Sequence, residues 1–145
     1  MCPRIRARAR GVAALAVIAG SLACGSDGPS AAAALTGTYT ATTFQVTPDG
    51  QPLIDVLAKG GSLSITFAAN DAVSGTVFLP SAVTGAGDFT AAMSGTVVHN
   101  GGTVQFQQSV DSFVRDLTWT VGTNTLTVTN QHAGTAAFTI TLTRQ

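Results

Sequence analysis

The chain has 145 residues, the size of a single domain, and only 10% of them are charged. Its formal net charge is zero, yet four of the seven basic residues fall in the first ten positions. Downstream of Cys24, three basic residues oppose seven aspartates, which leaves a charge of −4. A surface this poor in basic residues cannot neutralise a run of phosphates, so we expect no nucleic-acid binding.

The first 23 residues have the pattern of a bacterial export signal. A basic segment ends at Arg10, and residues 11–23 are uncharged and built largely from alanine, valine, leucine and isoleucine. This apolar stretch is too short to cross a bilayer as a helix, which needs about 20 residues. We therefore predict that residues 1–23 form a cleaved signal peptide.

The end of this segment, Ser21-Leu22-Ala23-Cys24, resembles the lipobox of bacterial lipoproteins. In that family a small residue precedes a cysteine that is lipidated and becomes the new N-terminus. Ala23 and Cys24 match the pattern, while Ser21 stands where leucine is usual. Cys24 is also the only cysteine left after cleavage, so it has no disulfide partner within the chain. The resemblance implies cleavage after Ala23 and a lipid anchor on Cys24. The alternative is ordinary cleavage and secretion.

The composition of residues 24–34 predicts a flexible tether. The stretch Gly25–Ala34, "GSDGPSAAAA", contains small residues, glycine and proline without periodicity. About ten such residues span roughly 16–19 Å. Asp27 does not directly follow the cysteine, so the inner-membrane retention signal of some proteobacterial lipoproteins is not met. We expect a protein anchored in the cell envelope, in the outer membrane and facing the periplasm.

From Leu35 onward, polar and apolar residues alternate with a period of two, as in Ser62–Phe67. Threonine is abundant there: all 22 threonines lie beyond Leu35. The runs predict eight strands: Thr36–Thr47, Ser62–Phe67, Val73–Leu79, Phe89–His99, Thr103–Gln108, Leu117–Val121, Thr125–Asn130 and Ala136–Thr143. The apolar cluster in Pro52–Lys59 predicts one turn of helix.

Short glycine- and asparagine-rich intervals separate these runs, which favours antiparallel neighbours. Residues 35–145 are therefore predicted to form one all-β domain. The predicted fold is an eight-stranded antiparallel up-and-down barrel, and the alternative is a two-sheet β-sandwich.

The stretch "LTGTYTAT", Leu35–Thr42, is similar to the first strand of lipocalins and their short bacterial relatives. Those proteins carry Gly-x-Trp there, and this chain has Gly37-Thr38-Tyr39. "DLTWTVGTNTLTVTN" likewise looks like the penultimate hairpin of small lipocalin-like domains. We expect a monomer, and the resemblance implies a barrel in which Arg144, on the last strand, packs over the first-strand aromatic. Gly37, Tyr39 and Arg144 would then close one barrel end.

No set of residues predicts catalysis or metal binding. The polar candidates are two histidines, two aspartates and two serines: His99, His132, Asp111, Asp116, Ser109 and Ser112. We interpret the histidines as solvated turn residues, since neither has a cysteine, glutamate or second histidine at ligand spacing. The chain contains no glutamate. We expect no enzyme activity, no metal and no cofactor.

The inward-facing residues of the predicted strands are apolar, and an eight-stranded barrel is just wide enough to be filled or to hold one small ligand. The leading hypothesis is an envelope lipoprotein that binds or carries a small hydrophobic ligand, with its ligand-binding residues unassigned. One alternative is a protein-binding module such as a periplasmic hydrolase inhibitor. The other is a structural envelope protein with a filled barrel. The loops Pro80–Asp88 and Gln108–Asp116 discriminate: loops folded over an open mouth favour a ligand, and a rigid projecting loop favours inhibition.

Overall fold

The computed structural model describes residues 35–108, 110 and 112–145. In this part the chain forms nine strands and two single-turn helices. The strands are β1 (Gly37–Pro48), β2 (Ile54–Asp55), β3 (Ser62–Phe67), β4 (Ala72–Leu79), β5 (Phe89–Asn100), β6 (Thr103–Gln108), β7 (Thr118–Val121), β8 (Thr125–Ala133) and β9 (Ala136–Arg144). The helices are α1 (Ser81–Thr84) and a 3-10 helix (Phe113–Asp116).

Pairing between β1 and β9 closes the sheet into a barrel. β3 to β9 pair in chain order, each antiparallel to the next, and β1 pairs with both β3 and β9. The β1–β9 ladder is long and runs from Tyr39 opposite Arg144 to Pro48 opposite Ala136. The predicted eight-stranded barrel is therefore confirmed, and the sandwich alternative is wrong. Closure leaves no exposed sheet edge along this seam.

The predicted helical turn in Pro52–Lys59 is wrong. Ile54 and Asp55 instead form β2, an extra strand that pairs with Val46 and Gln45 of β1. The next residue, Val56, is fully buried, and its amide donates to the carbonyl of Phe44 at 2.8 Å. Pairing with β1 replaces the helical turn here. β1 pairs with β3 only over residues 37–40, so Gln45 and Val46 are free to pair with this segment.

β8 is longer than predicted and reaches Ala133, so the last hairpin turns at Gly134 rather than across residues 131–134. A bulge between Val128 and Gln131 makes this possible, with Asn130 at φ 48°. β7 and β8 pair only at Thr120 and Val121. Beyond that point the Gln131 side chain connects the two strands. Its amide oxygen accepts from the Thr118 backbone amide at 2.9 Å, and its amide nitrogen donates to the Thr118 carbonyl at 2.6 Å.

The outer wall of the barrel is neutral and rich in threonine. The eight barrel strands contain one aspartate, lysine or arginine in total, Arg144. One row of five threonines runs across five neighbouring strands in direct register: Thr43, Thr141, Thr127, Thr120 and Thr103. β-branched side chains suit such a pleated surface. The charges therefore lie at the two ends of the barrel.

Candidate functional site

The two ends of the barrel differ in the length of their connections. At one end, called the closed end, three short turns (68–71, 101–102 and 122–124) lie beside the start of β1 and the end of β9. The opposite end, called the loop end, carries segments 49–61, 80–88 and 109–117 and the hairpin turn at 134–135. Large connections at one end make that end the candidate recognition surface.

The structure brings Gly37, Tyr39 and Arg144 together at the closed end. Tyr39 lies opposite Arg144 in the β1–β9 register, so both belong to the inward face. Tyr39 is 1% exposed, and its ring meets Phe67 edge-on at 5.4 Å. Gly37 has φ 124°, and a Cβ there would lie 3.0 Å from the Nε of Arg144. The exposed guanidinium thus lies directly over Gly37. The role of these three residues in barrel closure stays a prediction.

His99 is not a solvated turn residue, and that interpretation was wrong. It lies in β5 on the inward face, opposite Val104, and its Nε2 is 2.9 Å from a carboxylate oxygen of Asp71. Its Nδ1 is buried without a hydrogen-bond partner in the described part of the chain. The strand parity with Val97 could have indicated this position. His132, by contrast, is largely exposed, 3.8 Å from Asp49.

Aromatic rings cross the barrel interior near the closed end. Phe67 of β3 contacts Phe106 of β6 at a ring distance of 5.8 Å, although two strands separate β3 from β6 in the sheet. Phe106 in turn meets Trp119 edge-on at 5.7 Å, and Trp119 is fully buried. Since the Phe67–Phe106 contact crosses the barrel, side chains fill this part of the interior.

The 3-10 helix closes the loop end from above. Phe113 stacks on Phe138 at 4.4 Å with the rings nearly parallel, and it also meets Phe44 at 5.8 Å. The next residue, Val114, is fully buried, and its carbonyl accepts from Trp119 Nε1 at 3.4 Å. Residues 112–117 therefore fold over the mouth of the barrel and also fill it.

A narrow packing gap lies beside Gln108. It is too small to hold a water molecule and is lined by Ile65, Val73, Ser74, Met93, Phe106 and Gln108. The Gln108 side chain is 9% exposed and donates to the Ser112 hydroxyl at 2.6 Å. Pockets for drug-sized ligands measure roughly 300–1,000 Å³, so this gap is not a ligand cavity.

Loop 80–88 is exposed and braced from within. The Ser81 amide donates to the Asp88 carboxylate at 2.7 Å, which ties the two ends of the loop together. The Thr84 hydroxyl donates to the Gly87 carbonyl at 2.7 Å, and Gly85 ends α1 in the left-handed conformation. Most of its side chains are exposed and small. Of the two discriminating loops, this one is the more exposed, and its own hydrogen bonds hold it together.

The polar residues considered for catalysis do not assemble in the described chain. Ser112 is engaged with Gln108, and Asp116 lies 3.4 Å from Arg115. Ser109 and Asp111 lie outside the described residues, as do Ala23, Cys24 and the tether. Within the described residues, no three histidine, cysteine or acidic side chains form a group that could hold a metal ion.

The described residues contain no helix with the length and hydropathy needed to cross a membrane. No protein-family model, curated protein or solved structure matches the chain. The similarity to lipocalins and to lipoprotein signals accordingly stays a prediction from the residues that carry it.

Proposed function

We propose that this protein is an exported, monomeric lipoprotein, anchored through Cys24, that binds a protein partner through its loop end and performs no catalysis. The observation that carries the proposal is loop 80–88, a braced and exposed element at the mouth of a barrel whose interior is crossed by aromatic side chains. A rigid loop loses little conformational entropy on binding, so its contacts convert efficiently into affinity. A filled interior leaves the outer surface as the part available for recognition.

The loop end also indicates the chemistry of the partner. Its described residues include four aspartates (Asp49, Asp55, Asp88 and Asp116) against Lys59 and Arg115, a net charge of −2. Leu53 and Phe89 are 56% and 39% exposed at the same end and offer apolar contact area. Exposed apolar side chains with a negative surround suit a basic protein. A cationic cell-wall hydrolase in the envelope has this character.

Inhibition assays test the partner. Soluble mature protein carrying Cys24→Ser would be titrated against a c-type lysozyme and against cationic serine proteases, with residual activity as the readout. Ala82→Arg, in the exposed helix α1, should weaken inhibition at least tenfold, because it adds bulk and like charge to the contact. Ala92→Arg is the matched control on the exposed barrel wall and should change nothing. Equal inhibition by both variants would exclude loop 80–88 as the binding surface.

Fatty-acid labelling tests the anchor. Cells supplied with a labelled fatty acid should label the wild-type protein, whereas Cys24→Ser should lose the label and leave the membrane fraction. Label that persists in the Cys24→Ser variant would contradict the lipoprotein assignment.

A second candidate function is the carriage of a small hydrophobic ligand. The observation that favours it is the plug made by Phe113, a loop side chain that covers the mouth of the barrel. Organic extraction of the purified protein followed by mass spectrometry tests this function. A single lipid at stoichiometric yield would favour the carrier over the protein-binding module.

A further inference from the structure

The chain enters and leaves the barrel at the same end. β1 begins at Gly37 and pairs there with the end of β3, and β9 ends at Arg144, opposite Tyr39. Both points lie at the closed end, whereas loop 80–88 follows β4 at the loop end. A tether that precedes residue 35 is therefore attached to the closed end. With a span of roughly 16–19 Å, a ten-residue tether holds that end near its anchor.

Charge separates the two ends in the same direction. Among the described residues, the closed end has Arg144, which is exposed, and Asp71, which is engaged with His99. The loop end carries the net charge of −2 formed by its four aspartates, one lysine and one arginine. The barrel wall between them is free of aspartate, lysine and other arginines. An anionic surface would therefore repel the loop end more strongly than the closed end.

We propose that the closed end is a membrane-facing surface, and that the lipidated protein stands on an anionic bilayer with loop 80–88 directed away from it. This inference rests on the proposed anchor at Cys24. The short tether holds the closed end near the bilayer, and repulsion between the aspartates and the lipid headgroups keeps the loop end away from it. The partner of loop 80–88 is then a soluble or wall-bound protein rather than a membrane-embedded one.

Energy transfer to the bilayer tests the orientation. The lipidated protein would be placed in vesicles of phosphatidylethanolamine and phosphatidylglycerol that carry an acceptor on the headgroup. Since lipidation blocks Cys24, a donor dye can be attached to a single new cysteine, at Thr123→Cys on the closed end or Ala86→Cys on the loop end. Both positions are exposed, and Gly102→Cys and Ala82→Cys form a second pair. Thermal unfolding monitored by circular dichroism would verify that each labelled variant is folded.

We expect transfer from position 123 to exceed transfer from position 86 by roughly twofold or more, because eight-residue strands tilted in a barrel separate the ends by roughly 20 Å. Equal or reversed transfer in a protein that carries the fatty-acid label would overturn the orientation alone. Absence of the fatty-acid label would overturn the anchor and the orientation together. In vesicles of phosphatidylcholine the difference should shrink, and a difference of unchanged size would contradict the role given to charge.

Discussion

The closed end and the loop end are built from the same eight strands but are completed in different ways. At the closed end, turns of a few residues join the strands, and single residues from β1 and β9 meet over the core. At the loop end, a segment with its own 3-10 helix packs Phe113 against Phe44 of β1 and Phe138 of β9. Residues of the strands thus cover one end of the barrel, and a loop covers the other. We expect the two ends to respond differently to substitution.

The largest expected effect lies in the shared core between the ends. Trp119→Ala should lower the free energy of unfolding by about 3–5 kcal/mol, because the ring is fully buried against Phe106. Leu53→Ala is the matched control at an exposed site and should cost about 0.5 kcal/mol or less. Urea denaturation followed by circular dichroism measures both. A Trp119→Ala loss as small as that of the control would show that this ring does not support the core.

The closed end should be sensitive at Gly37. Gly37→Ala should cost about 1–3 kcal/mol, because alanine is strained at φ 124°. Its Cβ would also press on the Arg144 guanidinium, so Arg144→Ala should relieve part of the loss. Urea denaturation of the two single variants and the double variant measures that coupling. Simple additivity would mean that the guanidinium moves freely away from Gly37.

Tyr39 provides the parallel measurement of barrel closure. If the guanidinium also packs over the aromatic ring, Tyr39→Ala and Arg144→Ala should couple by roughly 0.5 kcal/mol, the value for an exposed cation–π contact. A cycle with no coupling would show that the guanidinium does not stack on the Tyr39 ring and would remove the predicted lipocalin-like role of Tyr39.

The loop end should tolerate loss of its plug better than the core tolerates loss of Trp119. Phe113→Ala should cost about 1–2 kcal/mol, because the ring is half-buried and its stacking on Phe138 is lost. Phe89→Ala, which removes a ring exposed by 39%, is the matched control. Fluorescence of a hydrophobic dye should rise for Phe113→Ala alone. Unchanged dye binding would argue that Phe113 does not close the mouth.

Another small effect concerns the brace of loop 80–88. Asp88→Asn should cost about 0.5–1 kcal/mol, since it weakens a charge-assisted bond to the Ser81 amide. Hydrogen exchange at Ser81 should become faster in this variant, and Asp49→Asn should leave it unchanged. Equal protection of Ser81 in both variants would show that the loop holds its shape without this carboxylate.

Much of the barrel follows from local pattern. The period of two in segments such as Ser62–Phe67 and Thr103–Gln108 predicts strands with the observed bounds, because successive side chains must point to opposite faces. The same parity places Arg144 on the inward face at the end of β9, as the β1–β9 register shows. These features are local, so the chain itself determines them.

Other features depend on contacts between residues far apart in the chain, which an alternating pattern does not encode. The same strands could have formed a two-sheet sandwich, and the pairing of β1 with β9 is what closes them into a barrel. β2 exists because β1 offers a free pairing edge, and His99 meets Asp71 because a hairpin brings them together. Phe113 becomes a plug only where Phe44 and Phe138 converge. The alternating pattern fixes most of the strands and their faces, whereas long-range pairing fixes how the barrel closes and what covers its ends.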